Sequence, residues 1–416
     1  MFWTFDEKNN NNNTRIINVP FDMTNSKTNE IYESLLCLDT RIYDPGLLSG
    51  SAGIALALLY AHIATGNQKH KQKADEILEV LSEKICDCTV FSHCCGLAGI
   101  GWMFQHLCDK GWLQTDTNIL LEDFDKLLPV IMQHHLFQSQ IDFLHEATGI
   151  AYYFFSRYHD NQAAIKVLKY YMTKMYHIAE RNDNIIKWET IIDHKKNRKG
   201  YNISLSHGMS SIVDMLNKLY SINDLENPRL KSMITNSINY ILAQEIDAQK
   251  YGSFFPSIAI ESSSEIHGSR LAWCYGDLGI SMALYQAGKT LNRQDWIDKA
   301  VNVLLYAAEK RRDLSQNGVV DACFCHGTSG IAHIFYRMWW NTRLPEFKQA
   351  TDYWIEQTLK MARFDDGLAG YKTWQGDDNG YQCSMGLLEG IAGIGLVLLS
   401  FYYEIEPTWD NCFLLS

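Results

Sequence analysis

The chain has 416 residues, 46% of them hydrophobic, with 37 Lys+Arg against 48 Asp+Glu and a formal net charge of −11. That excludes whole-chain disorder and leaves room for one large domain or two to three ordinary ones. The acidic balance, broken only by the short run Lys195-Lys196-Asn197-Arg198-Lys199, argues against a protein that neutralises phosphates, so no nucleic-acid partner is expected.

The N-terminus runs Met1-Phe2-Trp3-Thr4-Phe5-Asp6-Glu7-Lys8 into an Asn tract, Asn9 to Asn13. It has neither the basic nor the apolar region of a signal peptide. Residues 1–25 read as an Asn-rich, partly disordered extension and 26–416 as a single domain. The apolar stretch Gly390 to Tyr402 falls well short of the roughly 20 residues that span a bilayer. A cytoplasmic protein is expected, in which the 11 cysteines are reduced and are either core filler or metal ligands.

A small-residue signature, G-x-x-G followed by an apolar stretch, recurs seven times. The copies begin at Gly50, Gly96, Glu146, Gly208, Gly276, Gly327 and Gly390, and their fourth positions are spaced by 46, 50, 62, 68, 51 and 63 residues. Two copies are imperfect: Glu146 replaces a first glycine and Ser211 a last one. Each opens a segment that is apolar on all sides, such as Ile54-Ala55-Leu56-Ala57-Leu58-Leu59-Tyr60, which predicts a helix buried all round. Amphipathic segments lie between them. One runs from about Asn29 to Cys37, one is marked by Ala74, Ile77, Leu78, Leu81 and Ile85, and another by Trp296, Ala300, Val303 and Leu304.

Seven buried helices, each with an amphipathic partner, can stack as an open superhelix or close into a ring. Neither chain end offers a polar capping repeat, so the expected fold is all-α, an (α/α) toroid with seven inner and seven outer helices. The strand-like run Ile185 to Ile192 falls in one of two longer inserts, about Arg181 to Ser204 and Glu245 to Ser269. The glycines serve close backbone approach and unusual φ at helix N-termini.

The two positions before each signature are rich in Cys and His: Leu48-Ser49, Cys94-Cys95, Leu144-His145, Ser206-His207, Cys274-Tyr275, Cys325-His326 and Leu388-Glu389. Inner-helix N-termini of a toroid point into one end of the ring. Cys274, Cys325 and His326 then supply two thiolates and an imidazole, three zinc ligands that leave a fourth position open, the pattern of a catalytic site. A rival set is His93, Cys94 and Cys95 with Cys86 and Cys88 nearby, while Cys37, Cys108, Cys383 and Cys412 read as buried small hydrophobes. His207 precedes an inner helix whose dipole is expected to keep its imidazole a neutral base. Asp142 lies four residues ahead of its signature, and Arg270 lies four ahead of Cys274.

These repeats, with Ser206-His207-Gly208, Trp273-Cys274-Tyr275-Gly276 and Cys325-His326-Gly327 in order, resemble the lanthionine synthetase C-like family over about Asn29 to Tyr403. The resemblance implies a seven-fold (α/α) toroid with one Zn2+ held by Cys274, Cys325 and His326. His207 is its acid/base group, with Asp142, Arg270 and Tyr275 as further active-site positions. His145 competes for the role of Asp142, because a Glu stands at 146 in that repeat. The implied reaction is Michael-type addition of precursor-peptide Cys thiols to dehydroalanine and dehydrobutyrine, giving lanthionine and methyllanthionine rings. Implied partners are the dehydrated precursor peptide with its leader, a separate dehydratase and an export transporter, any membrane association being through that complex. The toroid and extension account for the whole length, so a stand-alone monomeric cyclase is expected. Three rivals remain: a relative that adds glutathione to dehydroamino acids, a zinc-dependent prenyltransferase and a non-catalytic peptide-binding scaffold.

Overall fold

In the computed structural model the described residues are 24–416 apart from Ile42, His194, Lys195 and Glu226. The Asn tract and the rest of the expected extension up to residue 23 lie outside them, as does Lys195 of the basic run. Among the described residues fourteen helices of eleven residues or more follow in order. They are α1 (Thr24–Leu36), α2 (Ser51–Thr65), α3 (Gln68–Lys84), α4 (Leu97–Asp109), α5 (Glu122–Phe137), α6 (Ala147–Arg157) and α7 (Gln162–Ile178). The series continues with α8 (Met209–Tyr220), α9 (Pro228–Leu242), α10 (Asp277–Leu291), α11 (Gln294–Lys310), α12 (Thr328–Thr342), α13 (Pro345–Lys360) and α14 (Ile391–Tyr402). Every even-numbered helix starts at a signature.

The described residues divide into two compact units. The first runs up to Phe124 and resumes with Val320–Thr408; the second is Asp125–Val319 with Trp409–Ser416. In the first, α2 is buried from Ser51 to His62 and α14 from Ile391 to Ser400. Its partner α3 buries only Ala74, Ile77, Leu78 and Leu81, with His70, on an otherwise charged surface. Ile85, expected on the same stripe, stands one residue past the helix end and is half-buried. In the second unit α11 buries Trp296, Ala300, Val303 and Leu304 in the same manner. Alternation of apolar and amphipathic helices is thus present within each unit.

Three of the outer helices begin differently from the inner ones. Outer helices α3, α7 and α9 carry an Asn N-cap, Asn67, Asn161 and Asn227, whose side chain accepts a backbone N–H two residues on. The inner helices have no side-chain cap, and the loop before them takes its place. In five repeats the first helical N–H donates to a carbonyl seven residues earlier: Ser51 to Asp44, Leu97 to Val90, Met209 to Asn202, Thr328 to Asp321 and Ile391 to Ser384, at 2.8–3.1 Å.

A loop curled this tightly onto the first turn crowds the fourth signature position, where Ser211 is the one side chain among the seven copies and turns its hydroxyl back onto the Gly208 carbonyl at 2.7 Å. A Cβ on Gly330 would lie 1.8 Å from the Phe324 carbonyl oxygen. Close approach, rather than unusual φ, is therefore what the glycines serve: among the first glycines only Gly276 has a positive φ, +84°. Glu146 stands in for a first glycine at φ −132°, and its carboxylate accepts the Asp142 N–H at 2.9 Å.

Neighbouring loops are tied by their backbones at the register position two before the signature. In the first unit Cys325 donates to Leu388, Leu388 to Leu48 and Leu48 to Cys94, at 2.8–2.9 Å. In the second, Ser206 donates to the Cys274 carbonyl at 3.3 Å.

The insert after α7 forms two antiparallel ribbons, β1 (Glu180–Arg181) with β2 (Ile186–Lys187) and β3 (Thr190–Asp193) with β4 (Arg198–Gly200). The strand-like run Ile185 to Ile192 thus contributes to both. The insert packs on the one before α10, where Tyr201 donates to Ser262 Oγ at 2.8 Å and Ala259 donates to the Tyr201 carbonyl at 2.9 Å. A third ribbon, β5 (Thr373–Trp374) with β6 (Tyr381–Gln382), lies in the loop before α14. No helix among the described residues is long and apolar enough to cross a membrane.

Candidate active site

In the second unit the loops before α6, α8 and α10 bring Asp142, His145, His207 and Tyr275 together. Asp142 Oδ2 lies 2.5 Å from His207 Nδ1, and Asp142 Oδ1 accepts the His145 N–H at 2.7 Å. The His145 ring stacks on that of His207 with centroids 5.7 Å apart, and the Tyr275 ring lies 6.0 Å away on a tilted plane. A cavity of about 600 Å³ opens here. Asp142, His145, His207 and Tyr275 line one side; Trp188, Ile191 and Lys199 of the β-ribbon insert line another. The insert is therefore a wall of the site.

The helix-dipole argument for a neutral His207 is opposed by the groups around the ring. Burial alone would lower its pKa, but the hydrogen bond and charge of Asp142, with the charges of Cys274 and Glu146, outweigh it and hold the imidazole above its ordinary value. A carboxylate in contact with the ring dominates a helix terminus whose field is worth only ~0.3–1 kcal/mol at an exposed site. A raised folded pKa means the pair's stability contribution is complete below the unfolded value of about 6.5 and fades as pH rises through the folded one. Asp142→Asn is expected to lower the His207 pKa in a histidine NMR titration and to remove that fading. An unmoved titration would show that another group sets the charge.

Arg270 is exposed and is not part of the cavity lining. The buried guanidinium of this region belongs instead to Arg311, which donates to Asp277 at 2.9 Å, to the Ser269 carbonyl at 2.6 Å and to Asn317 at 2.8 Å. Asp277, inside the fifth signature, is fully buried and also accepts the N–H groups of Phe254 and Phe255 at 3.2 and 2.9 Å. It fastens the second insert to the start of α10. An acidic residue opening an otherwise apolar helix was its visible sign in the sequence.

Cys274 is buried ahead of α10 in the second unit. Cys325 and His326 stand half-buried ahead of α12 in the first. His326 Nε2 lies 3.5 Å from the Asp321 carboxylate, a neighbour that the motif gave no reason to single out. Of the rival set, Cys86 is exposed, Cys88 half-buried and His93 fully buried against Trp102. His93, Cys94 and Cys95 do not converge as a three-donor group among the described residues. The Cys95 thiol is nevertheless drawn down to about 6, chiefly by the Cys94 side chain. Of the four cysteines expected as buried hydrophobes, Cys412 is buried and Cys108 half-buried, but Cys37 and Cys383 are exposed. Cys37 follows the end of α1, and Cys383 directly follows β6.

These elements define an all-α protein of paired inner and outer helices with a cluster of imidazole, carboxylate and phenol groups before the inner helices. The fold class is the expected (α/α) toroid, as a solved structure of nisin cyclase demonstrates: its TM-score is 0.72 at 19% identity, over 94% of this chain and 97% of that one. The family sequence model described as lanthionine synthetase C-like protein matches residues 41–414. The chain belongs to the lanthionine synthetase C-like family. It is also 33% identical over 147 residues to the nisin biosynthesis protein NisC of Lactococcus lactis subsp. lactis, an alignment that spans 35% of this chain and 31% of that protein.

Proposed function

We propose that this protein is a zinc-dependent lanthionine synthetase that closes thioether rings in a dehydrated precursor peptide. The reading rests on family membership together with one observation, the hydrogen-bonded Asp142–His207 pair in a cavity large enough for a peptide turn. Cys274, Cys325 and His326 are the proposed ligands. Two thiols and an imidazole are a borderline-soft donor set that suits zinc, and the Asp321 carboxylate beside His326 is the kind of neighbour a ligating imidazole has. When bound, zinc supplies deprotonation of an incoming thiol at neutral pH and holds it as a nucleophile.

The chain's own residues act on the other reactant. Addition of a thiolate to the β-carbon of dehydroalanine leaves an enolate, which needs a proton at the α-carbon. Asp142 occupies His207 Nδ1, so Nε2 is the nitrogen that carries the transferable proton. The raised His207 pKa keeps a larger fraction in the donating imidazolium form at neutral pH. Tyr275 is the nearest phenol to that ring and is assigned to hydrogen-bonding the substrate carbonyl. Arg270 is assigned to the same developing charge, a role that requires it to leave its exposed position. The Trp188, Ile191 and Lys199 wall encloses the peptide. One cyclase domain over 26–416 and a monomeric, cytoplasmic enzyme complete the reading. Its partners are the leader-bearing precursor, a dehydratase and an export transporter.

The test is to incubate the protein with zinc and a dehydrated, Cys-containing precursor peptide and to follow alkylatable thiols by mass spectrometry. Ring closure leaves the peptide mass unchanged while its thiols disappear. A gain of one glutathione per dehydro residue when that thiol is supplied, with no loss of peptide thiols, selects the glutathione-adding alternative. Neither change, with peptide retained by the protein, selects a binding scaffold.

A further inference from the structure

We propose that Asp321 is a positioning residue for metal binding: its carboxylate holds the His326 imidazole through Nε2, leaving Nδ1 as the donor atom for the ion, and ties that ring to the β5–β6 ribbon. The inference rests on the proposed ligand role of His326 and goes beyond it by assigning a residue that is not itself a ligand.

Asp321 is 2% exposed, so its charge must be met inside the protein. Three donors meet it, all within the first unit. The Cys323 N–H gives to Oδ1 at 3.0 Å, the Trp374 N–H gives to Oδ2 at 2.8 Å, and His326 Nε2 stands 3.5 Å from Oδ2. The same residue's backbone carbonyl receives the first N–H of α12 from Thr328 at 3.1 Å. Asp321 thus sits where the α12 loop, the β5–β6 ribbon and the His326 ring meet. Tyr381 of β6 adds a second tether by donating to the Val320 carbonyl at 3.0 Å.

An imidazole has two nitrogens and can present either to a metal. A carboxylate beside Nε2 keeps the proton on that nitrogen, fixes the tautomer and makes the other nitrogen a better ligand. Asp321, Cys323 and His326 also place their donor atoms within 4.8 Å of one another, which raises the alternative that these three hold the ion. Against it, both Asp321 oxygens already accept backbone N–H groups, and Cys323 is fully buried. An ion there would compete with those N–H groups for the carboxylate oxygens.

The experiment measures zinc affinity by competition with a chromogenic chelator in the full-length protein, and the thiolate-to-cobalt charge-transfer band after cobalt substitution. Asp321→Asn is expected to weaken zinc binding about ten- to hundredfold with unchanged helicity, whereas Cys323→Ser keeps both affinity and band. Equal affinity in Asp321→Asn and parent overturns the proposal. A Cys323→Ser variant that loses both affinity and band also overturns it, and makes Asp321, Cys323 and His326 the ligands. A measurement without any variant serves if Asp321→Asn does not fold. The 15N shifts of His326 in the metal-free parent are expected to report the Nε2-protonated tautomer, and an Nδ1-protonated ring overturns the proposal. A parent that binds no metal overturns the ligand reading itself, an outcome distinct from a parent that binds and an Asp321→Asn variant that binds equally well.

Discussion

Cys325→Ala is expected to purify folded, with little zinc against about one per chain in the parent, and to lose ring closure. Folding survives because the structural bond of Cys325 is made by its backbone, the N–H to Leu388 at 2.9 Å, which alanine retains. Metal retention does not, because two remaining donors are too few for a stable zinc site. A thiol of pKa about 8.5 is only about 3% thiolate at pH 7, so loss of zinc activation alone lowers the rate about thirtyfold. Loss of thiol positioning lowers it further. Elemental analysis, circular dichroism and the thiol-alkylation assay read the three parts separately. A folded parent without zinc that still closes rings would remove the metal from the proposed mechanism.

Asp277→Ala is expected to destabilise the second unit by about 3–5 kcal/mol, the range for removing one partner of a buried ion pair. Arg311 would keep its charge in a site where its side chain is 5% exposed, and the N–H groups of Phe254 and Phe255 would lose their acceptor. Urea denaturation followed by fluorescence measures the change. The double variant Asp277→Ala/Arg311→Met is expected to recover part of it, because an apolar pair strands no charge. A double variant no better than Asp277→Ala alone would place the damage in the Phe254-Phe255 segment instead.

The repeat architecture was legible because one steric demand recurs: each inner helix needs a loop folded onto its first turn, so each repeats the small residues that allow it. The Gly330 to Phe324 approach is that demand at its tightest. Outer helices were legible through periodicity, as in Ala74, Ile77, Leu78 and Leu81. The ionisation of His207 was not, because it is set by Asp142, 65 residues away in sequence, and a local argument from the helix terminus had the wrong sign. Asp321 and Asp277 were missed for a related reason. Asp321 looks like an ordinary acidic residue until its burial and the backbone groups it accepts are known, and Asp277 showed only as an acid opening an apolar helix, which does not say what it holds. Cys37 and Cys383 failed in the opposite sense, since cysteine's general preference for burial says nothing about a particular helix end or strand end.

In the first unit the loop-to-loop bonds at the register position use only main-chain atoms, Cys325 to Leu388, Leu388 to Leu48 and Leu48 to Cys94, whereas in the second the Ser206 hydroxyl joins its own N–H on the Cys274 carbonyl, at 3.1 Å. In the first unit those bonds are consequently independent of which side chain stands there, save that proline has no N–H to give. Leucine, serine and cysteine occupy equivalent sockets in the same chain. An exchange of residue at such a socket in the first unit therefore leaves the ties between repeats in place, and what it must satisfy is the buried space around the new side chain.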